Sequence, residues 1–479
     1  MRAPASAYLA GAVGVAGGTV ASSVAGFASL LLLTQILSKE MFGGYAFAMA
    51  VVTLVSVLAT LGLDRALMLR VAGIEPSSRW LRGGGLALRV TLICTAVAGA
   101  LGALMAVTAE PFVSMGLMPE ARFWLPALAL SAVPFTAGMV LHSWYQANHR
   151  VAFAAAMPGI GDLSRCLFFA VVLLAGFGAS GVAAAAVLGA TVPVALLIWQ
   201  ARGRTRRAPR RLNGGDFTKG IQFVTIRLAQ ESGRQVDLVM MGLLATGAAT
   251  ADYAIAARIA AIADQGRQSL KPTFMPRTRR WIAAGDTAAA LREFARTRDA
   301  GFAAALAAAT LFTLSGMPIL SLFGAFEQAY SVLLLVTLGF VLNTGLGLHA
   351  AYLAMHGEVG WSALLRVGGL VLLVALNFLL IPRFGAVGAA TAAALTQGVI
   401  NVASATLAWR LTGLIPVDRM QVVLIVAAVI ALTAGATAAL SPVAAGGLLG
   451  AAFLIAAFRS RSVLRELARM ALARRARKP

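Results

Sequence analysis

Long apolar stretches separated by short polar connections run through almost the whole chain, from Tyr8 to Phe458. A helix crossing a bilayer needs about 20 mostly apolar residues, because each residue advances about 1.5 Å and hydrocarbon offers no partner to an unpaired backbone group. Against that length the pattern predicts fourteen membrane-spanning helices. The first seven are Ala10–Ile36, Gly44–Leu63, Leu86–Val107, Trp124–Tyr145, Met157–Ala175, Gly181–Trp199 and Gly220–Leu244. The second seven are Thr250–Phe274, Gly301–Phe323, Tyr330–Ala354, Val359–Ile381, Ala386–Trp409, Met420–Leu440 and Pro442–Phe458. The expected fold class is all-α and polytopic.

Basic residues orient these spans, since lysine and arginine are retained on the cytoplasmic side. With the N-terminus inside, only Lys39, Arg122 and Arg383 fall in outside loops. Arg165, Arg227, Arg234, Arg258, Arg267, Lys271 and Arg366 fall within spans, and every other lysine and arginine lies in a cytoplasmic segment. Both termini are therefore expected in the cytoplasm. The expected organisation is a six-helix bundle over 1–200, a basic linker over 201–218, a second six-helix bundle over 219–411, two further spans within 412–458 and a basic tail over 459–479. In the tail, Val463, Leu464, Leu467 and Met470 recur near helical spacing among arginines, so it is expected to lie on anionic inner-leaflet lipids.

Composition sharpens the exclusion of soluble classes. The 479 residues are 59% hydrophobic and 12% charged, against about 45–50% and 25% in soluble domains. Mean hydropathy is +0.84 over the full length, more than one anchor helix supplies. The net charge of +22 would suggest nucleic acid in a soluble chain. Here its placement between spans is topogenic, and no nucleic-acid partner is expected. Cys94 and Cys166 lie in apolar runs without metal spacing, and His142, His149, His349 and His356 are scattered. Gly11, Gly14, Gly17 and Gly18 lack the Lys-Ser/Thr of a phosphate loop and read as close-packing positions. No resident metal or organic cofactor is expected.

A weak duplication runs through the chain. Phe177-Gly178-Ala179-Ser180-Gly181-Val182-Ala183 recurs as Phe384-Gly385-Ala386-Val387-Gly388-Ala389-Ala390, an offset of 207, and Tyr45-Ala46-Phe47-Ala48 recurs as Tyr253-Ala254-Ile255-Ala256, an offset of 208. The repeated unit holds six spans. An even number gives both copies the same orientation, hence two pseudo-symmetric bundles about an axis along the membrane normal, an arrangement suited to alternating access.

Charges inside the spans carry the candidate chemistry, because each costs about 2.5–3.5 kcal/mol at a helix centre unless it faces protein or water. In the seventh span Arg227, Gln230, Glu231, Arg234 and Asp237 follow i, i+3, i+4, i+7, i+10 and share one face. Asp264, Arg267, Gln268 and Lys271 repeat the spacing in the eighth, with Arg258 on another face. Asp162 and Arg165, three residues apart in the fifth, are expected to pair. Two readings stand side by side. Pairs within one helix, such as Arg227 with Glu231 and Asp264 with Arg267, neutralise one another. Alternatively, seven basic residues against four acidic ones (Asp162, Glu231, Asp237, Asp264) leave a cationic surplus that an anionic group visits, and arginine's planar fork suits phosphate.

A family resemblance enters on scattered residues in fixed order: Leu37 to Tyr45, Gly62-Leu63 with Ala66 to Arg70, Asp237, Tyr253 with Arg258, Pro276, Phe323-Gly324, Asn377, Ile381-Pro382, Phe384-Gly385 and Gly388-Ala389-Ala390. Together they resemble the polysaccharide translocases, the O-antigen and exopolysaccharide flippases of the multidrug/oligosaccharidyl-lipid/polysaccharide exporter superfamily. The resemblance implies a non-enzymatic transporter of the bacterial cytoplasmic membrane that moves undecaprenyl-pyrophosphate-linked oligosaccharides to the outer leaflet for surface polysaccharide synthesis. Arg227, Arg234 and Arg258 are then the expected headgroup ligands, and Arg267 and Lys271 the cytoplasmic recruiters. Asp162, Arg165, Glu231, Asp237 and Asp264 either couple a proton or sodium ion or hold the arginines in place. The expected partners are the polyprenyl-pyrophosphate-linked glycan and the polymerase and chain-length machinery. Ser38 departs from the glycine common at that turn. The first span carries no arginine, whereas lipid II flippases of the same superfamily place charged residues there, which argues against peptidoglycan precursor as cargo. The alternatives are a cation-coupled multidrug exporter and a membrane glycan polymerase.

Overall fold

The computed structural model of the protein describes residue 22 and residues 24–74, 79–202, 214–413 and 417–461. The first half of the first span, the arginines from Arg204 to Arg211 in the linker, and the tail beyond Arg461 lie outside the described residues. Among the described residues the chain is helical with no strand.

In the first part, α1 (Val24–Ile36) leads to α2 (Lys39–Ala59), α3 (Leu63–Ala72), α4 (Arg79–Ser114), α5 (Ala121–Ala129), α6 (Ala132–Ala147), α7 (Val151–Ala175), α8 (Gly178–Ala201) and α9 (Gly214–Leu244). There follow α10 (Gly247–Ala260), α11 (Ile262–Ala283), α12 (Thr287–Ser321), α13 (Tyr330–Leu346), α14 (His349–Met355), α15 (Val359–Thr412), α16 (Arg419–Ala436) and α17 (Pro442–Arg459). Starts and stops follow capping chemistry. Ser38, Asp286, Asp418 and Ser441 accept backbone N–H bonds at the starts of α2, α12, α16 and α17, satisfying donors that a helix start leaves open.

A helix stands at each predicted span, but three spans are broken. The fourth is α5 and α6, bent by 46°, the eighth is α10 and α11, and the tenth is α13 and α14 around Gly347 at φ 99°. Conversely, α15 contains two predicted spans. Gly385 breaks it at φ 54° and ψ −130°, and a Cβ on Gly369 would lie 3.0 Å from Ile400 Cγ1, so the two arms run antiparallel about the break. Nine helices among the described residues are long and apolar enough to cross a membrane, ten if the bent pair counts as one more. That falls short of fourteen because α15 counts once, α9 and α11 carry too much charge, and the first span is described only in part. The chain is a multi-pass membrane protein.

The duplicated motif falls at matching turns. Gly178, at φ 60°, opens α8, and Gly385, at φ 54°, separates the arms of α15, so both copies place glycine where a left-handed backbone reverses the chain.

The chain divides into two compact units, Met1–Ala251 and Asp252–Pro479. In the first, Leu63, Val71, Leu86, Trp144, Tyr145 and Leu197 bring α3, α4, α6 and α8 into one apolar core. The helix expected to open the second bundle, α9, packs on α2 and α3 of the first unit. In the second unit, Phe274, Phe294, Tyr352 and Leu353 join α11, α12 and α14. Large apolar side chains such as Leu174, Val107 and Val443 stand fully outward, the arrangement expected where the surrounding solvent is hydrocarbon.

Candidate substrate site

The polar stripe of α9 meets α3 at close quarters. After α2 the chain turns through two left-handed residues, Leu61 at φ 49° and Gly62 at φ 65°. This turn lays backbone directly on α9: a Cβ on Gly62 would stand 2.0 Å from the Gly220 carbonyl oxygen. Only glycine allows that approach.

Two ion pairs flank the crossing. Arg227 donates through Nη1 to Oδ2 of Asp64, whose side chain is 0% exposed while that of Arg227 is 26% exposed. Arg70 pairs with Asp216. The Ser143 hydroxyl on α6 lies 3.5 Å from the same Asp64 oxygen, and Asp64 Oδ1 is buried with no hydrogen-bond partner among the described residues. Arg227 therefore bonds across 163 residues of sequence and not to Glu231, the i+4 neighbour on its own helix. Glu231 instead accepts a 3.4 Å hydrogen bond from Gln235. Asp237 is buried. The Arg234 and Gln230 side chains lie outside the described ones.

The stripe of α11 in the second unit is organised differently. Arg267 Nε and Nη2 reach Asp264 Oδ1 and Oδ2 at 2.6 and 2.9 Å, and Gln268 Nε2 adds a 2.8 Å bond to the same carboxylate. Its fork is thus occupied by one bidentate partner a turn away. Lys271 is half-buried, and Arg258 on α10 and Arg366 on α15 are exposed. On α7 of the first unit, Arg165 pairs with Asp162 as expected. The Ser22 hydroxyl also bonds Asp162, and the guanidinium lies 5.7 Å from the centre of the Phe135 ring.

Two groups were not anticipated from the sequence. Asp64 sits one residue past the second span, so it does not enter a count of carboxylates inside spans. Including it changes the electrostatic balance: Arg165, Arg227 and Arg267 each have a carboxylate partner. The second group is a charge chain in the second unit. Arg298 bonds Asp299 at 2.7 Å, and Arg459 at the end of α17 reaches Asp299 at 3.5 Å and Asp418 at 2.5 Å. The Arg459 hydrogen bond holds the Asp418 carboxyl below the usual carboxylate range. No group of three His, Cys, Asp or Glu placed to hold a metal ion occurs among the described residues.

Of the sequence-predicted ligands, Arg227 is the one whose single described bond to a carboxylate leaves most of its five N–H donors for an anion. Arg267 is chelated, and Arg258 is open to its surroundings.

The family described as "Polysaccharide biosynthesis protein" matches residues 9–268. No curated protein sequence matches the chain. Among solved structures, the chain is similar to a lipid II flippase, MurJ, in an inward closed conformation, at 13% identity and TM-score 0.72, covering 94% of this chain and 99% of that one. It is similar to an inward-facing multidrug resistance MATE family transporter of the MOP superfamily at 14% identity and TM-score 0.70, covering 82% and 95%. A MOP superfamily transporter from Pyrococcus furiosus, described by the reverse polarity of its binding pocket, aligns at 14% identity and TM-score 0.58, covering 83% and 94%. At these identities the likeness is one of fold.

Proposed function

Since the chain belongs to the polysaccharide biosynthesis protein family, we propose that it is a flippase carrying undecaprenyl-pyrophosphate-linked oligosaccharide units from the cytoplasmic to the outer leaflet of a bacterial cytoplasmic membrane. Alternating access moves the pyrophosphate and sugar through the protein while the polyprenyl tail stays in lipid. Both termini are cytoplasmic in this reading, and polymerase and chain-length machinery act on the delivered product.

The observation that carries the reading is Arg227, a guanidinium within the predicted span of α9, bound through one N–H to Asp64 and 26% exposed. A pyrophosphate offers such a fork better-matched oxygens than one carboxylate oxygen does. Arg234 and Arg258 complete the headgroup ligands, with Arg267 and Lys271 recruiting from the cytoplasmic side. Deleting the gene is expected to trap completed lipid-linked oligosaccharide on the cytoplasmic leaflet. Arg234→Ala is expected to reduce surface polysaccharide at unchanged protein abundance, whereas equal loss of protein and polymer would assign Arg234 a purely structural role.

A second reading, a cation-coupled drug exporter, draws on the fold shared with the MATE transporter. Against it, Asp64, Asp162 and Asp264, carboxylates that a cation would use, are already bound to arginines. Expression in a drug-sensitive host separates the two, since only an exporter of cations raises resistance to cationic dyes. Coupling to protons or sodium remains part of either proposal, with Glu231 and Asp237 as the candidate carriers.

A further inference from the structure

We infer that Asp64 is an internal stand-in for the cargo's phosphate: it occupies Arg227 in the empty transporter and yields it to a pyrophosphate headgroup, so that strong anions alone release α9 from α3. The inference rests on the proposed pyrophosphate-linked cargo and adds the device that selects for it.

The geometry is that of an exchangeable ligand. Asp64 contributes one oxygen to Arg227 and leaves its other, Oδ1, buried without a hydrogen bond among the described residues. A carboxylate held for structure alone normally has its lone pairs filled, as in Asp264, which takes two bonds from Arg267 and one from Gln268. Asp64 also keeps two supports when Arg227 departs. It lies in the first turn of α3, where the helix N-terminus favours negative charge, and the Ser143 hydroxyl remains 3.5 Å away. Vacating the pair is therefore costly without being prohibitive, and the cost sets a threshold. An anion that offers Arg227 only what a carboxylate offers gains nothing by the exchange. A pyrophosphate carries more charge and accepts the fork in bidentate fashion.

Neighbouring charges leave Asp64 as the group that decides. Arg70 is bound to Asp216, Arg65 is exposed, and His142 is hydrogen-bonded to Gln146 at 2.8 Å. Release of Arg227 also loosens the crossing at Gly62 and Gly220, tying headgroup arrival to movement of α9.

The test uses the full chain in phosphatidylcholine nanodiscs with undecaprenyl pyrophosphate and undecaprenyl monophosphate as probes. Wild type is expected to prefer the pyrophosphate. Asp64→Asn is expected to bind the pyrophosphate lipid about tenfold more tightly, the effect of one charge-assisted hydrogen bond no longer displaced, and the monophosphate by no more than that. Hydrogen exchange of the wild type supplies a readout that needs no variant: amides of α3 and of α9 around Arg227 are expected to exchange faster with the pyrophosphate lipid bound. Tight pyrophosphate binding with unchanged exchange, or a folded Asp64→Asn that binds no more tightly than wild type, overturns the stand-in role and leaves the cargo reading intact. Wild type that binds neither lipid overturns both.

Discussion

The helices α9 and α11 carry the same polar spacing and resolve it in opposite ways. In α11 the arginine closes on an aspartate three residues earlier, and Gln268 completes the carboxylate. In α9 the arginine bypasses Glu231 and reaches Asp64 on another helix. The first solution costs little backbone order, because the helix already holds both partners at the right distance. The second fixes two helices against each other and places a carboxylate at 0% exposure. Equal patterns of charge thus yield a self-contained pair in one unit and an interhelical tie in the other.

The sharpest way to break this contrast is at the backbone. A Cβ on Gly62 meets the Gly220 carbonyl at 2.0 Å, and its φ of 65° disfavours any other side chain. Gly62→Ala is expected to abolish recovery of folded protein from detergent extracts. Gly301→Ala, whose Cβ would lie 3.6 Å from Arg267 Cα in ordinary contact, is expected to leave yield and elution profile unchanged. Equal tolerance at the two sites would mean that the α3–α9 crossing does not depend on close approach.

The ion pairs come next in size. Arg227→Ala strands a buried carboxylate and is expected to lower stability by about 3 kcal/mol, the low end for breaking a buried pair because Ser143 and the α3 N-terminus remain. Arg267→Ala leaves Asp264 with its Gln268 bond and is expected to cost about 1 kcal/mol. Unfolding in mild detergent compares them directly, and similar losses would dissolve the distinction between tie and self-contained pair.

This difference also marks how far the sequence is legible. Hydropathy places the helices because the bilayer imposes one length on every span, and it misses the breaks at Ala261 and Gly347, where one apolar run serves two helices. The Asp264–Arg267 and Asp162–Arg165 pairs are readable because i and i+3 share a helix face. The partner of Arg227 is not, since no local rule connects positions 64 and 227. Nothing in a span-by-span count includes Asp64, which lies at a span's edge with its carboxylate buried between Ser143 of α6 and Arg227 of α9. Asp299 is hidden for a similar reason: it follows a run of cytoplasmic arginines and is buried only by tertiary packing.

The smallest effect lies at the other end of the burial scale, in the pair that ties α16 to α17. Asp418 caps α16 through Gln421 N at 2.8 Å and pairs with Arg459 while 54% exposed. Asp418→Asn preserves the cap and removes only the charge, so the variant isolates the ion pair. Because Arg459 holds the Asp418 carboxyl below its ordinary range, the pair's contribution is fully present above that range and disappears as pH falls through the lowered folded value. Wild type is expected to exceed the variant by at most about 1 kcal/mol at neutral pH, with the gap closing in acid and in high salt. The destabilisation caused by Arg227→Ala is expected to resist the same salt, since Asp64 is sealed from solvent. A gap at Asp418 that survives molar salt would place that pair with the buried tie and erase the gradient of exposure on which the comparison of the two units rests.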